Sequence, residues 1–200
     1  DKYHTIYPCV DTSEFQIRFP RENKVCYIGR IDSNKGIEEV VDAFLEVKNS
    51  VPDCKLEIKG GVKGSPYAER FLPVLKNKLT GVEGVTLRTD VQRKEIVETL
   101  LTSRCMASLN FEEHFGIVPV EAMAAGTPPI VADGGGQKET VKNGETGFLV
   151  KDSKEMANRM YLLLSDDKLF NRLSANAAEH AKSFDRRVFT EKWAKLIEDL

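Results

Sequence analysis

Two cations stand five positions apart in segment 29–36, which follows the apolar run 25–28. The guanidinium of Arg30 can hold two phosphate oxygens at once, and Lys35 adds a compact positive charge. Gly29 allows a ligand to approach the backbone closely. The segment therefore predicts a phosphate-binding loop. The alternative is a solvated loop that leads into the next helix.

A second segment, 113–121, combines two carboxylates with the expected start of a helix. Pro119 suits the first helical position, so free amides just before it would form an anion site at the positive helix end. These amides belong to Gly116, Ile117 and Val118. Glu121 would lie in the first helical turn and Glu113 before the helix, as hydroxyl acceptors at different places along one ligand. Alternatively, Glu121 only stabilises the helix through its interaction with the positive end of the helix dipole, and Glu113 is a charged residue of a loop.

Three glycines follow another apolar run, in segment 133–139. Gly135 and Gly136, together with Gly134, remove side-chain bulk and expose consecutive amides where a ligand could pass. The alternative is a mobile turn that enters a short helix. The segment is therefore a third candidate for ligand binding.

Short β-branched runs alternate with longer runs whose apolar residues repeat at helical spacing. This alternation predicts an α/β fold, a doubly wound Rossmann-like parallel sheet of about six strands, with helices on both faces and a helical C-terminus. The predicted strands are 25–28, 56–58, 85–87, 106–109, 129–132 and 148–150, and helices are predicted at 37–47, 68–79, 93–103, 120–125, 156–164, 169–181 and 188–200. Ligands of such sheets bind beyond the carboxyl ends of the strands, so the three candidate segments should converge.

The domain organisation predicted from the pattern has three parts. Residues 1–23 show little periodicity and are expected to be an inter-domain linker. Residues 24–182 form the Rossmann-like domain, and 183–200 are expected to form a helix that packs toward an N-terminal domain absent from this sequence. A start inside a linker, without methionine, suggests a piece of a longer protein.

Composition excludes several classes of function. The net charge of −2 argues against a bulk nucleic-acid surface, so no nucleic-acid partner is expected. No apolar run approaches the roughly 18 residues of a membrane span. The four cysteines form no CxxC pair, which favours reduced thiols in a cytoplasmic protein over a metal site. No GxGxxG pattern follows the first strand, which disfavours a nicotinamide-dependent oxidoreductase.

Four motifs together resemble a known family. The run from Glu113 to Glu121, continued to Pro128, resembles the E-x7-E region of family-4 retaining glycosyltransferases of the GT-B type. Segment 29–36 resembles the family's phosphate-binding loop, and segments 133–139 and 143–150 resemble its following motifs in order and spacing. Segment 7–15 resembles its inter-domain linker, with Cys9 where a glycine is common.

The resemblance implies a role for each candidate residue. Arg30 and Lys35 would neutralise the donor diphosphate, Glu113 would bind the donor sugar, and these three residues form the expected catalytic set. Glu121 would hold the ribose hydroxyls. His114 would shape the sugar pocket, and Phe115, Gly116, Ile117 and Val118 would frame the phosphates, with Gly29, Gly135 and Gly136 completing the donor site. No protein nucleophile, metal or other cofactor is expected.

The resemblance also implies substrates. The sequence around Glu113 and Gly116 most resembles mannosyltransferases, which favours GDP-mannose as the nucleotide sugar. A glycan or lipid-linked acceptor would bind to the absent N-terminal domain, and the longer protein could associate peripherally with a membrane. The alternatives are a non-catalytic module that binds a sugar nucleotide and one half of a nucleotide-sugar epimerase.

Overall fold

One parallel sheet forms the centre of the structure, a computed structural model that describes residues 4–199. Its strands are β1 (Lys24–Ile28), β2 (Lys55–Gly60), β3 (Val85–Thr89), β4 (Cys105–Ser108), β5 (Pro129–Ala132) and β6 (Phe148–Val150). Their order across the sheet is β3-β2-β1-β4-β5-β6, with every neighbouring pair parallel. The winding direction of the chain therefore reverses between β1 and β4.

Helices cover both faces of this sheet, which confirms the predicted fold. They are α1 (Ile37–Lys48), α2 (Pro66–Leu79), α3 (Arg93–Thr102), α4 (Ile117–Ala124), α5 (Gln137–Thr140), α6 (Ser153–Ser165), α7 (Asp167–Ala181) and α8 (Arg186–Glu198). In β1, Val25 and Tyr27 face a core shared with α1, α2 and α6. Cys26 and Ile28 face a second core shared with α3, α4 and α7. Because both faces are covered, all five residues of β1 are buried.

Helix α4 departs from the prediction at its start. It begins at Ile117 rather than near Val120, and Gly116 precedes it with a φ of 88°. Pro119 is thus the third helical residue, where its missing N–H would still have had no partner inside the helix. The expected place of Glu121 in the first turn was therefore wrong, because that residue lies in the second turn.

The segment predicted as a linker is packed against the domain. Val10 and Phe15 are buried. The Val10 amide donates to the Phe184 carbonyl at 2.9 Å, and the Arg186 amide donates to the Val10 carbonyl at 3.0 Å. The linker role of 1–23 and the packing of 183–200 toward another domain stay predictions, and residues 1–3 and 200 of those ranges lie outside the described part of the chain.

Arg21 joins this segment to the ends of two helices. One of its terminal nitrogens donates to the carbonyls of Leu100, at 2.9 Å, and Leu101 in α3. The other donates at 2.5 Å to the carbonyl of Ala125, which follows α4. These carbonyls have no intrahelical partner. Burial lowers the pKa of Arg21 to about 10, so the guanidinium stays charged at neutral pH.

Replacing Arg21 by methionine is expected to lower the free energy of unfolding by about 2–3 kcal/mol, because the carbonyls of Leu101 and Ala125 would lose their side-chain donor. The Leu100 carbonyl would keep the Thr127 hydroxyl as a donor. Urea denaturation measures the change.

Arg18→Met is the control, since Arg18 is exposed and pairs with Glu98 at the surface, where an ion pair contributes less than about 1 kcal/mol. Equal small effects of the two substitutions would show that Arg21 does not hold the helix ends.

Candidate functional site

A cleft of about 370 Å³ opens where the winding reverses, between the ends of β1 and β4. Such topological switch points are the usual ligand sites of open parallel sheets. The predicted residues that line it are Gly29, Arg30, Lys35, Glu113, His114, Phe115, Gly116, Ile117 and Val118. All three candidate segments therefore contribute to one cleft, the third of them through Gln137.

The loop after β1 places both cations in this cleft. Asp32 caps a short 3₁₀ turn by accepting from the Asn34 amide at 3.2 Å, and Lys35 ends that turn. The buried phenol of Tyr27 donates to the Arg30 carbonyl at 2.8 Å, which fixes the backbone while the Arg30 side chain stays exposed. Burial raises the pKa of that phenol, so it remains a donor at neutral pH.

Glu113 meets Lys35 inside the cleft. One oxygen of its carboxylate accepts from the Lys35 ammonium at 3.2 Å and from the Asn110 side-chain amide at 3.0 Å. Within residues 4–199 the other carboxylate oxygen has no hydrogen-bond partner, and the side chain is 31% exposed. One side of this carboxylate is therefore held in place while the other is available to a hydroxyl group.

The N-terminus of α4 forms another wall. Gly116, Ile117, Val118 and Pro119 line the cleft. The amides of a first helical turn have no partner within the helix, and the dipole makes this end positive. An anion in the cleft would thus meet amide donors as well as the two cations.

The glycine turn after β5 lies behind the cleft wall. The Gly136 amide donates to the Glu113 carbonyl at 2.8 Å. A Cβ at Gly136 would lie 2.1 Å from the His114 carbonyl oxygen, and one at Gly135 would lie 2.2 Å from that of Glu113. Neither glycine is part of the lining, so the structure gives them a supporting place; direct contact with a ligand stays a prediction.

Glu121 also lies outside the lining. Its carboxylate pairs with the Arg93 guanidinium at 2.7 Å, and its side chain is 12% exposed. Burial raises the pKa of Glu121, and Arg93 opposes that rise. The predicted contact of Glu121 with a ribose is not tested by this arrangement and stays a prediction.

Several lining residues were absent from the sequence-based set. They are Tyr27, Ile28, Met106, Ser108, Pro119 and Gln137. Gln137 is buried and donates to the Asn110 carbonyl at 2.8 Å, so it supports the residue that orients Glu113. Gln137 lies in the third candidate segment, directly after the glycine turn, so its position beyond the end of β5 was a signal that could have found it. Ser108, in contrast, is the last residue of β4. The residues inside the strands carried no such signal.

Among residues 4–199 no cluster of three or more histidine, cysteine or acidic side chains could hold a metal ion. In the same part of the chain, no helix is both long and apolar enough to cross a membrane.

The sheet and its basic cleft define a Rossmann-like α/β domain of the kind found in GT-B proteins. The family model of the glycosyl transferases group 1 matches residues 10–180, so the chain belongs to that family. A D-inositol 3-phosphate glycosyltransferase of Rhodococcus jostii (strain RHA1) is 33% identical over 170 residues, which are 82% of this chain and 38% of the relative. The chain thus spans about two fifths of the length of this curated relative.

Solved structures share the fold. A sucrose-phosphate synthase from Thermosynechococcus elongatus has a TM-score of 0.85 and 27% identity, covering 97% of this chain and 51% of that one. Anabaena Alr3699/HepE, solved in complex with UDP-glucose, has a TM-score of 0.84 and 22% identity, covering 98% and 57%. At that identity the second likeness shows the fold alone.

Proposed function

We propose that this chain is the donor-binding part of a retaining hexosyltransferase that uses a nucleotide sugar. The main support for this proposal is that one cleft is lined by Arg30, Lys35, Glu113 and the N-terminus of α4. Cations and free amides suit a diphosphate, and a carboxylate with one unpaired oxygen suits a sugar hydroxyl beside it. Relatives that are glycosyltransferases support the same class of reaction.

In the proposed reaction, the anomeric carbon of the donor exchanges its bond to the diphosphate for a bond to the acceptor oxygen. The acceptor proton passes to the departing phosphate oxygen on the same face, which retains configuration without a protein nucleophile. Arg30 and Lys35 stabilise the negative charge that develops on the diphosphate, and such preorganised charge is often the largest single contribution to catalysis. The proposal requires no metal, because the two cations supply the neutralising charge.

For the donor, the sequence around Glu113 favours GDP-mannose, whereas a structural neighbour is solved with UDP-glucose. Both donors share the diphosphate and a hexose, and we propose GDP-mannose with UDP sugars as the competing donors. The acceptor is proposed to be a glycan or a lipid-linked glycan bound by a further part of a longer protein. That protein is proposed to act in the cytoplasm, where it can lie at a membrane.

Replacing Glu113 by glutamine is expected to weaken binding of the sugar nucleotide by about tenfold, the loss of one charge-assisted hydrogen bond. Binding of the bare nucleoside diphosphate should be unchanged or slightly tighter, because Lys35 would lose its ion pair with Glu113 and be free to pair with phosphate. Calorimetry with GDP-mannose and GDP, and with UDP-glucose and UDP, measures both effects.

The control for this substitution is Glu112→Gln, since Glu112 is exposed and is not part of the lining. It should alter neither affinity. Equal losses for the sugar nucleotide and for the bare diphosphate in Glu113→Gln would contradict the contact between Glu113 and the sugar.

A further inference from the structure

One guanidinium is shared by two acids from distant parts of the chain. Arg93, the first residue of α3, pairs through one terminal nitrogen with Glu121 at 2.7 Å. Its other terminal nitrogen and its Nε bind one oxygen of Glu14 at 2.6 and 3.1 Å. The guanidinium also lies over the Phe15 ring, 5.6 Å from its centroid. Arg93 thus connects the N-terminal segment, α3 and α4.

The two acids differ in exposure. The Glu14 side chain is 40% exposed and that of Arg93 43%, whereas that of Glu121 is 12% exposed. A surface pair such as Arg93–Glu14 adds little to stability. A buried carboxylate depends much more on its counter-ion, because without one it carries an uncompensated charge. Of the two acids, Glu121 is therefore the one that depends more on its ion pair with Arg93.

The charged groups that face Glu121 come from two elements. Arg93 on α3 favours its ionised form, while Glu14 on the 3₁₀ turn Thr12–Glu14 disfavours it. Arg93 holds one carboxylate oxygen of Glu121, and within residues 4–199 the other oxygen has no hydrogen-bond partner. The free oxygen is the one that a ligand hydroxyl can use.

We propose that Arg93 is a positioning residue of the donor site: its ion pair with Glu121 orients the Glu121 carboxylate to receive the pentose hydroxyls of the nucleotide. This inference rests on the proposed function and deepens it. Because Arg93 also binds Glu14, a movement of the turn Thr12–Glu14 would change the position of Arg93 and thereby the affinity for the nucleoside. A salt bridge with a purely structural role would affect all ligands of the cleft alike.

The test compares GDP and UDP with their 2′,3′-dideoxy analogues by calorimetry on the protein that carries this chain, across about pH 5 to 8. Arg93→Met should weaken binding of the ribonucleotide at neutral pH by about tenfold, as expected when one charge-assisted contact is misplaced. Affinity for the dideoxy analogue should stay unchanged, because it makes no such contact. Arg93→Lys should restore part of the loss, since it returns the positive charge.

The pH dependence gives an independent readout. Binding needs the ionised form of Glu121, so affinity falls as pH drops through the pKa of Glu121. Removing Arg93 raises that pKa, and the fall should begin at a higher pH in Arg93→Met. Glu14→Gln should shift it the opposite way, because Glu14 raises the pKa of Glu121.

The matched control is Arg88→Met, because Arg88 is half-exposed, pairs with Glu95 and has no contact with Glu121. It should leave both affinities and the pH dependence unchanged. Equal losses for ribose and dideoxyribose nucleotides in folded Arg93→Met and Arg93→Lys, or an unmoved pH dependence, would overturn the role of Arg93. Failure of the unaltered protein to bind either GDP or UDP would instead overturn the proposed function, and this inference with it.

Discussion

Arg30→Ala is expected to weaken binding of a nucleoside diphosphate by about a hundredfold, while the free energy of unfolding stays nearly unchanged. The loss corresponds to charge-assisted contacts with phosphate oxygens, each worth about 1.5–3 kcal/mol. Stability should be spared because the side chain is exposed and, within residues 4–199, forms no ion pair. The same substitution should lower turnover of the complete protein by about 10²- to 10³-fold.

Calorimetry with the nucleoside diphosphate and urea denaturation separate these two effects. Lys63→Ala is the matched control, because Lys63 is an exposed cation in the loop after β2, at the same edge of the sheet, and is not part of the lining. If both substitutions reduced affinity equally, the effect of Arg30 would be one of overall charge. Unchanged affinity in Arg30→Ala would contradict the phosphate-binding assignment of this loop.

Gly36→Ala is expected to lower the free energy of unfolding by about 3–4 kcal/mol and to abolish ligand binding. Gly36 has a φ of 65°, where an L side chain adds about 1–2 kcal/mol of strain. The new Cβ would also lie 2.3 Å from the Leu109 carbonyl oxygen, just after β4. Relief of that clash separates the two loops that form the cleft, so Lys35 and Glu113 would lose their contact.

Gly61→Ala is the control for this effect, since a Cβ at Gly61 would meet no atom within 4 Å. Thermal unfolding and calorimetric titration of both variants measure stability and binding. A Gly36→Ala variant that binds ligand normally would show that the close approach of the two loops is not needed by the site.

Much of the fold was predictable from local patterns. The helix α1 follows from Ile37, Val40, Val41 and Phe44, which repeat at helical spacing and are all buried. The strands were recognisable because sheets covered on both faces require continuous apolar runs. The start of α4 was not predictable, because a proline is tolerated throughout a first turn, where its missing N–H costs no hydrogen bond.

The site was predictable where its residues lie in the loops that follow the strands or at the start of the next helix. Arg30, Lys35 and Glu113 lie in loops at the edge of the sheet where the strands have their carboxyl ends. Ligands of open parallel sheets bind at this edge, and the three residues do line one cleft there. The pairing of Arg93 with Glu121 carries no local signal, because the partners lie on different helices. The supporting place of Gly136 depends on the backbone position of another loop, which spacing along the sequence does not encode.

Binding of a nucleoside diphosphate by the loop that carries Arg30 can be tested by calorimetric titration of the protein that carries this chain, and of its Arg30→Ala variant, with GDP, UDP, ADP and NAD. We expect GDP or UDP to bind to the unaltered protein and the variant to lose most of this affinity. Binding of NAD alone, or nucleoside diphosphate binding that survives Arg30→Ala intact, would contradict this expectation.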